Sequence, residues 1–409
     1  MDMVNLNSFL KFGYFLDFKH PRYKIIFPLI DKSTYANISE NELINEGIRL
    51  FRKAIHKQYL PGQLNLVPLS GGLDSRAILA TLLELTEAKN IYTYTFGSPN
   101  SLDYDIGNEI ARVLGTNHIS FDLTQHLYTN EEEMEISRRT GLQTILFHHQ
   151  PIFEVEKRFP EYVHWSGAII DVYFGRHPHV AKGKTISQAK QNSYRENRFV
   201  SSCNLTNIPL RAFYEKTDYD PNTEEVLVRE HCIDLLNRQT KFIAAVVLMD
   251  GFKYRTLFTD EELVRFSLNI DNRYLENQIL YKKMLIRAFP MIFSFPTKTA
   301  LGLPLTAGRL SIGMKKLRCK ITELFAWIAQ ARIVPTGTNY IEFNSAIRER
   351  PDLRSIIVEH VSDLHRRGVV EWVPCRDILE RHMSGKANHA DALIVLASLE
   401  IHLKNGKSF

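Results

Sequence analysis

Cysteine is scarce: Cys203, Cys232, Cys319 and Cys375 are the only four in 409 residues, and no two form a CxxC pair. Their separation favours neither a zinc site nor a disulfide framework, and all four are expected to be buried thiols. Long hydrophobic runs are absent too. No stretch approaches the roughly 20 apolar residues that span a bilayer, and the N-terminus lacks the basic-then-apolar order of a signal. The expected setting is cytoplasmic, with no membrane partner. Charge is not blocked by sign: 51 basic and 46 acidic residues leave +5, dispersed rather than gathered as in a nucleic-acid arm. The Walker A loop, GxxxxGK[ST], is missing, which argues against transfer of a γ-phosphoryl group to water or a hydroxyl. There is no internal repeat or low-complexity tract. His148-His149 and His177-Pro178-His179 lack cysteine partners and HxxxH spacing, so they read as polar or core histidines.

What is present centres on Val67-Pro68-Leu69-Ser70-Gly71-Gly72-Leu73-Asp74-Ser75-Arg76. This reads as a strand end, a turn too tight for side chains, and the start of a helix carrying Ala77, Ile78, Leu82 and Leu85. Such a junction aims backbone N–H groups, a hydroxyl and the positive end of a helix dipole at one point, which is a cradle for phosphate. Asp74 would repel phosphate unless a cation lay between them. It is therefore read as a Mg2+ ligand, hard oxygen for a hard ion.

From Leu64 onward strand and helix alternate: strand Leu64 to Leu69, helix Asp74 to about Ala88, strand Ile91 to Phe96, helix Tyr104 to Leu114, strand His118 to Leu123. The alternation predicts an α/β fold with a doubly wound parallel sheet and a ligand beyond the carboxyl ends of its strands. Pro68 cannot donate to a ladder and is placed at the strand end. Tyr162 to Trp165 leads into Ser166-Gly167-Ala168-Ile169-Ile170-Asp171, a second strand-to-turn junction ending in a carboxylate. On neighbouring strands, the two junctions could set Asp74 and Asp171 on opposite sides of one metal-bound phosphate.

Residues 1–60 form a preface, an aromatic start over Phe9 to Phe15 and a helix from Glu40 to His56, too short for a catalytic domain. Residues 176–225 are polar and at first basic, with Arg176, Lys182, Lys184, Lys190, Arg195 and Arg198 against Glu196. They read either as a solvated face or as a lid or substrate-docking segment. Beyond about residue 225 the periodicity is mainly helical. The exception is Phe293 to Leu305, where Pro296, Gly302 and Pro304 surround Lys298, a place suited to a catalytic cation.

Leu69 to Ser75 resembles the pyrophosphatase loop of the asparagine synthetase family, whose class B synthetase domain is shared with β-lactam synthetases and lasso-peptide cyclases. Asp103 with Leu114-Gly115-Thr116-Asn117-His118 resembles the family's run from an acidic residue to LGTxH. Ser166 to Gly175 resembles its SGEGxDExFGG, and Arg255 to Asp260 its RxPFLD. Leu285 to Pro290 with Thr297 to Pro304 resembles its LR…P…K.GF..P. The likeness covers about residues 60–405. It implies an adenine nucleotide alpha hydrolase-like domain over 61–409, with 1–60 a short extension remaining from the amidotransferase half. It further implies an ATP-dependent ligase that adenylates a small-molecule or peptide carboxylate, releases pyrophosphate and passes the acyl group to ammonia or an amine, in specialised or peptide-modifying biosynthesis. Ser70, Gly71, Gly72, Asp74 and Ser75 would bind pyrophosphate, while Phe96, Ser166 and Gly167 match positions lining the nucleotide pocket. Asp74 and Asp171 would hold Mg2+, and Lys298 would stabilise negative charge in both transition states. Asp103 is either a metal-side or orienting carboxylate or a helix cap.

The departures bear on the second half of that chemistry. Where the family has glutamate or tyrosine this chain has Ala168, and a methyl group neither accepts a proton nor orients an amine. Either another residue or the substrate supplies the base, or the amide-forming step is altered or lost. Ile169 and Ile170 replace glycines, and Val172 a glutamate. Asp2 stands where the glutaminase half carries cysteine, so nitrogen is expected from free ammonia, a partner protein or an amine on the substrate. Two other readings stay open. One is a degenerate nucleotide-binding protein. The other is a tRNA-modifying pyrophosphatase-loop enzyme, supported by the basic region and opposed by the dispersed charge.

Overall fold

Short segments bounded by turns build the strands Asn65–Pro68 (β1), Ile91–Gly97 (β2), Asn117–Asp122 (β3), Val163–Ser166 (β4) and Lys253–Thr256 (β5), the edge strands β3 and β5 being the more polar. The computed structural model describes residues 2–19, 22–25, 27–175, 183–224, 227–328 and 338–408; Arg176, His177, His179 and Lys182 lie outside them. Every neighbouring pair of strands is parallel, in the order β3-β2-β1-β4-β5. The chain steps outward from β1 through β2 to β3 and then returns to the other side of β1. The crevice between the carboxyl ends of β1 and β4 is therefore the switch point where open α/β sheets bind ligands.

Helices cover both faces. On one, Val67, Leu69, Ile91 and Trp165 pack with residues of Glu40–His56 (α2), Asp74–Leu83 (α3) and Leu102–Leu114 (α4). On the other, Leu66, Tyr94, Phe96 and Phe121 pack with the first helix, Met3–Phe12, and the C-terminal helices Pro351–Arg367 and Ala390–Lys404. The doubly wound sheet with a mainly helical C-terminal part is thus the observed architecture.

Several local expectations are corrected. The segment beyond residue 225 contributes β5, whose His164–Tyr254 and Ser166–Thr256 pairings extend the sheet; four residues are too few to announce a strand by alternation. The aromatic start read over Phe9 to Phe15 begins inside a helix, Met3–Phe12, whose first N–H groups are capped by the Asp2 carboxylate, on Val4 and Asn5. Helix α3 stops at Leu83 rather than near Ala88, and a 3-10 turn over Ala88–Asn90 carries the chain into β2. Cys232 and Cys375 are buried, but Cys203 and Cys319 are only half-buried. Pro68 does end β1, and the pairing passes to Leu69, whose N–H donates to Tyr94 O at 2.7 Å. His149 is a core histidine, paired with Glu133 at 2.9 Å, and His148 beside it is half-buried. No helix among the described residues is long and apolar enough to cross a membrane.

Candidate active site

Ser70, Gly71 and Gly72 form the loop between β1 and α3, and Asp74 and Ser75 begin the helix. The loop is tied to itself: Ser70 N–H donates to Ser75 Oγ at 3.3 Å and Gly72 N–H to Ser70 Oγ at 3.2 Å. Gly71 is required by space, since a Cβ there would lie 2.8 Å from Leu102 O. Its own carbonyl accepts from Lys298 N–H at 2.9 Å, which fastens the lysine segment directly to the phosphate loop.

The turn after β4 presses on the same loop. A Cβ on Gly167 would come within 2.4 Å of Asp74 Cβ, so glycine is what lets the two junctions touch. Ser166, the last residue of β4, is buried and its Oγ accepts from Ala168 N–H at 3.2 Å. Asp171 follows in the single turn Ile170–Tyr173 and is 5 % exposed. Tyr281, from the helix Ile279–Ala288, donates its hydroxyl to Asp74 Oδ1 at 2.6 Å. Burial, then the carboxylates of Asp74 and Asp171, holds that phenol well above its ordinary pKa, so it remains a donor and both acids lie within its electrostatic reach.

Lys298 opens a 3-10 turn between Pro296–Thr297 (β6) and Leu303–Pro304 (β7), which pair antiparallel. Its ammonium forms an ion pair with Asp103 at 2.5 Å and also donates to Asn339 Oδ1. Asp103 thus pairs with the lysine, while the cap position of α4 belongs to Ser101. Phe96 lies near the end of β2, half-buried, with its ring 5.9 Å from that of Tyr340. The neighbouring Asn339 carbonyl sits where a Gly97 Cβ would be 3.1 Å away.

Three contributors escape the motifs: Tyr281, Asn339 and Arg76. Arg76 is wholly buried in α3, donating from Nη1 to Pro296 O at 2.7 Å and from Nη2 to Ile292 O, with its guanidinium 5.1 Å from the Phe293 ring centroid. Burial lowers its pKa to about 10, which leaves it cationic at neutral pH. A cation sunk among Ala77 and Ile78 was the available signal, but nothing in the sequence says which carbonyls it holds. Gly183-Lys184-Thr185 and Gly406-Lys407-Ser408 carry the last letters of a Walker A loop without its first glycine, where Pro178 and Ile401 stand. Thr185 instead caps the helix Ile186–Glu196, accepting from Gln188 N–H at 3.2 Å.

The loop that leads into Asp74, the turn that carries Asp171 and the lysine hairpin thus meet at the switch point. In comparison with known proteins, residues 48–138 match the family described as Asparagine synthase. No curated protein matches the chain. The matched segment holds the phosphate loop, Phe96 and Asp103, while Asp171 and Lys298 lie beyond it. At family level, residues 48–138 of this chain are an asparagine synthase domain.

Proposed function

We propose that the protein is an ATP-dependent, AMP-forming amide ligase acting on a small-molecule or peptide carboxylate. The observation that carries this reading is the convergence on one loop of Lys298, through its N–H on Gly71 O, and of the Asp171 turn, through Gly167 against Asp74. The donor set suits Mg2+, for Asp74 and Asp171 offer hard carboxylate oxygens beside a phosphate cradle and within reach of one phenol. When bound, the ion supplies charge neutralisation on the triphosphate. Loop N–H groups and the Ser70 and Ser75 hydroxyls bind the β and γ phosphates. A substrate carboxylate oxygen forms a bond to the α-phosphorus as the bond to the bridging oxygen breaks and pyrophosphate leaves. Lys298, aimed by Asp103, lies beside the loop to meet the negative charge that develops. In the second step an amine nitrogen bonds to the acyl carbon, AMP leaves, and the amine's proton passes to a base. Ala168 cannot be that base, which favours a base brought by the substrate.

ATP–pyrophosphate exchange over a panel of carboxylic acids tests the reading. Exchange with at least one acid is expected, and Asp74→Ala and Asp171→Ala should each lower it by about 100-fold or more. Absence of exchange with every acid, together with no ATP binding by calorimetry, overturns the ligase. ATP binding without AMP production supports the degenerate nucleotide-binding reading that Ala168 motivates.

A further inference from the structure

The helix Arg309–Ile328 begins shortly after the lysine hairpin and runs for 20 residues. From Arg309 to Thr322 not one of its residues is buried, and a Cβ on Gly313 would meet nothing. Leu310, Met314, Leu317 and Ile321 are 84, 62, 60 and 43 % exposed. At about 100° of rotation per residue these four fall in one stripe about 60° wide. Single exposed apolar residues are ordinary, but a continuous line of large ones marks a surface that something covers.

The charges say what covers it. The same stretch carries Arg309, Lys315, Lys316, Arg318 and Lys320 and no acidic residue. Arg318 lies about 70° to one side of the stripe's centre and Lys320 about 90° to the other. A second copy meeting this face with its own would set cations against cations. Nucleic acid would satisfy the cations and leave the leucines in water. A groove on an acidic protein asks for cations gathered along one wall, whereas here they stand on both edges and behind. A planar anionic lipid surface satisfies both features: the stripe enters the acyl boundary, Arg318 and Lys320 reach headgroup phosphates on either side, and the cations behind add to the long-range attraction.

We propose that Arg309–Ile321 is an interfacial helix that docks the protein on anionic lipid. The expectation of no membrane partner rested on the lack of a spanning segment, and a helix lying in the interface needs none. Flotation of the whole protein with vesicles tests this, using phosphatidylcholine alone and phosphatidylcholine with roughly 30 % phosphatidylglycerol. The anionic vesicles should carry the protein, the neutral ones should not, and about 0.5 M salt should release it. The double variants Leu310→Ser/Leu317→Ser and Arg318→Glu/Lys320→Glu should each bind at least about tenfold more weakly. Because no side chain involved is buried in the fold, both should keep the wild-type circular dichroism and melting temperature. Failure of the wild type to float with anionic vesicles overturns the proposal, as does equal binding to both vesicle types or wild-type binding by either variant. A dimer that the leucine variant dissolves would assign the face to a second copy and overturn it as well.

Discussion

Arg76 illustrates how a site depends on a residue that touches no substrate. Its guanidinium is buried on backbone carbonyls, with Glu109 acting on it only through its field, an arrangement that gives little net stability, so its value lies in what it holds. It holds the carbonyls of Ile292 and Pro296, the approach to Lys298. Arg76→Met should leave ATP affinity within about threefold while slowing pyrophosphate release in a single turnover by about 10- to 100-fold, the scale of a 1 Å misplacement. Arg76→Lys should recover part of the rate. Loss of melting temperature with an unchanged single-turnover rate would reduce Arg76 to a structural residue. The loop Ser70 to Ser75 was legible in the sequence because adjacent residues build it. Tyr281 was not, because its hydroxyl meets Asp74 across 207 residues, and no local pattern encodes a partner at that distance.

The turn after β4 holds a bulky residue in a conformation that usually suits glycine. Ile169 has φ +70° and ψ −29°, a left-handed conformation that a β-branched side chain adopts only under strain. Strain of this kind costs about 1–3 kcal/mol. What holds it is packing: Ile169 is 2 % exposed, among Val172, Tyr173, Leu248 and Phe258. Ile170, next to it, is equally buried and begins an ordinary helical turn. Replacing either with glycine removes a buried side chain, but only Ile169→Gly also relieves strain, so it should be the less destabilising by about 1–2 kcal/mol in urea melts. Equal costs would mean that the left-handed turn is not strained. At this scale the sequence read well wherever a strand ran into a tight turn, as after β1 and β4. It failed at β5, which depends on its neighbour for existence.

In the molecule as a whole, buried histidines set the response to acid. Burial lowers His118, His148, His164 and His382 from 6.5 to about 4 and His402 to about 3. Between pH 6.5 and 4 the unfolded chain binds protons that the folded one refuses, so stability falls as pH falls. His126 and His149 run the other way. Burial alone would lower them, but the carboxylates of Glu132 and Glu133 outweigh it and raise both. Their contribution is complete below the unfolded value and is lost as pH rises through the raised one. The melting temperature should drop steeply from pH 6.5 to 4 and decline gently on the alkaline side, and Glu133→Gln should flatten the alkaline decline. A midpoint unchanged between pH 6.5 and 4 would contradict neutral buried histidines.

The bond from Arg76 to Pro296 joins residues 220 positions apart. During synthesis at roughly 5–20 residues per second, the phosphate loop is made roughly 10–45 s before the hairpin that completes it. A nascent chain therefore holds a cradle with no cation beside it. On the proposed ligase reading, ATP cleavage waits until the later half of the chain has closed onto the first, so the order of synthesis itself would keep the unfinished chain silent.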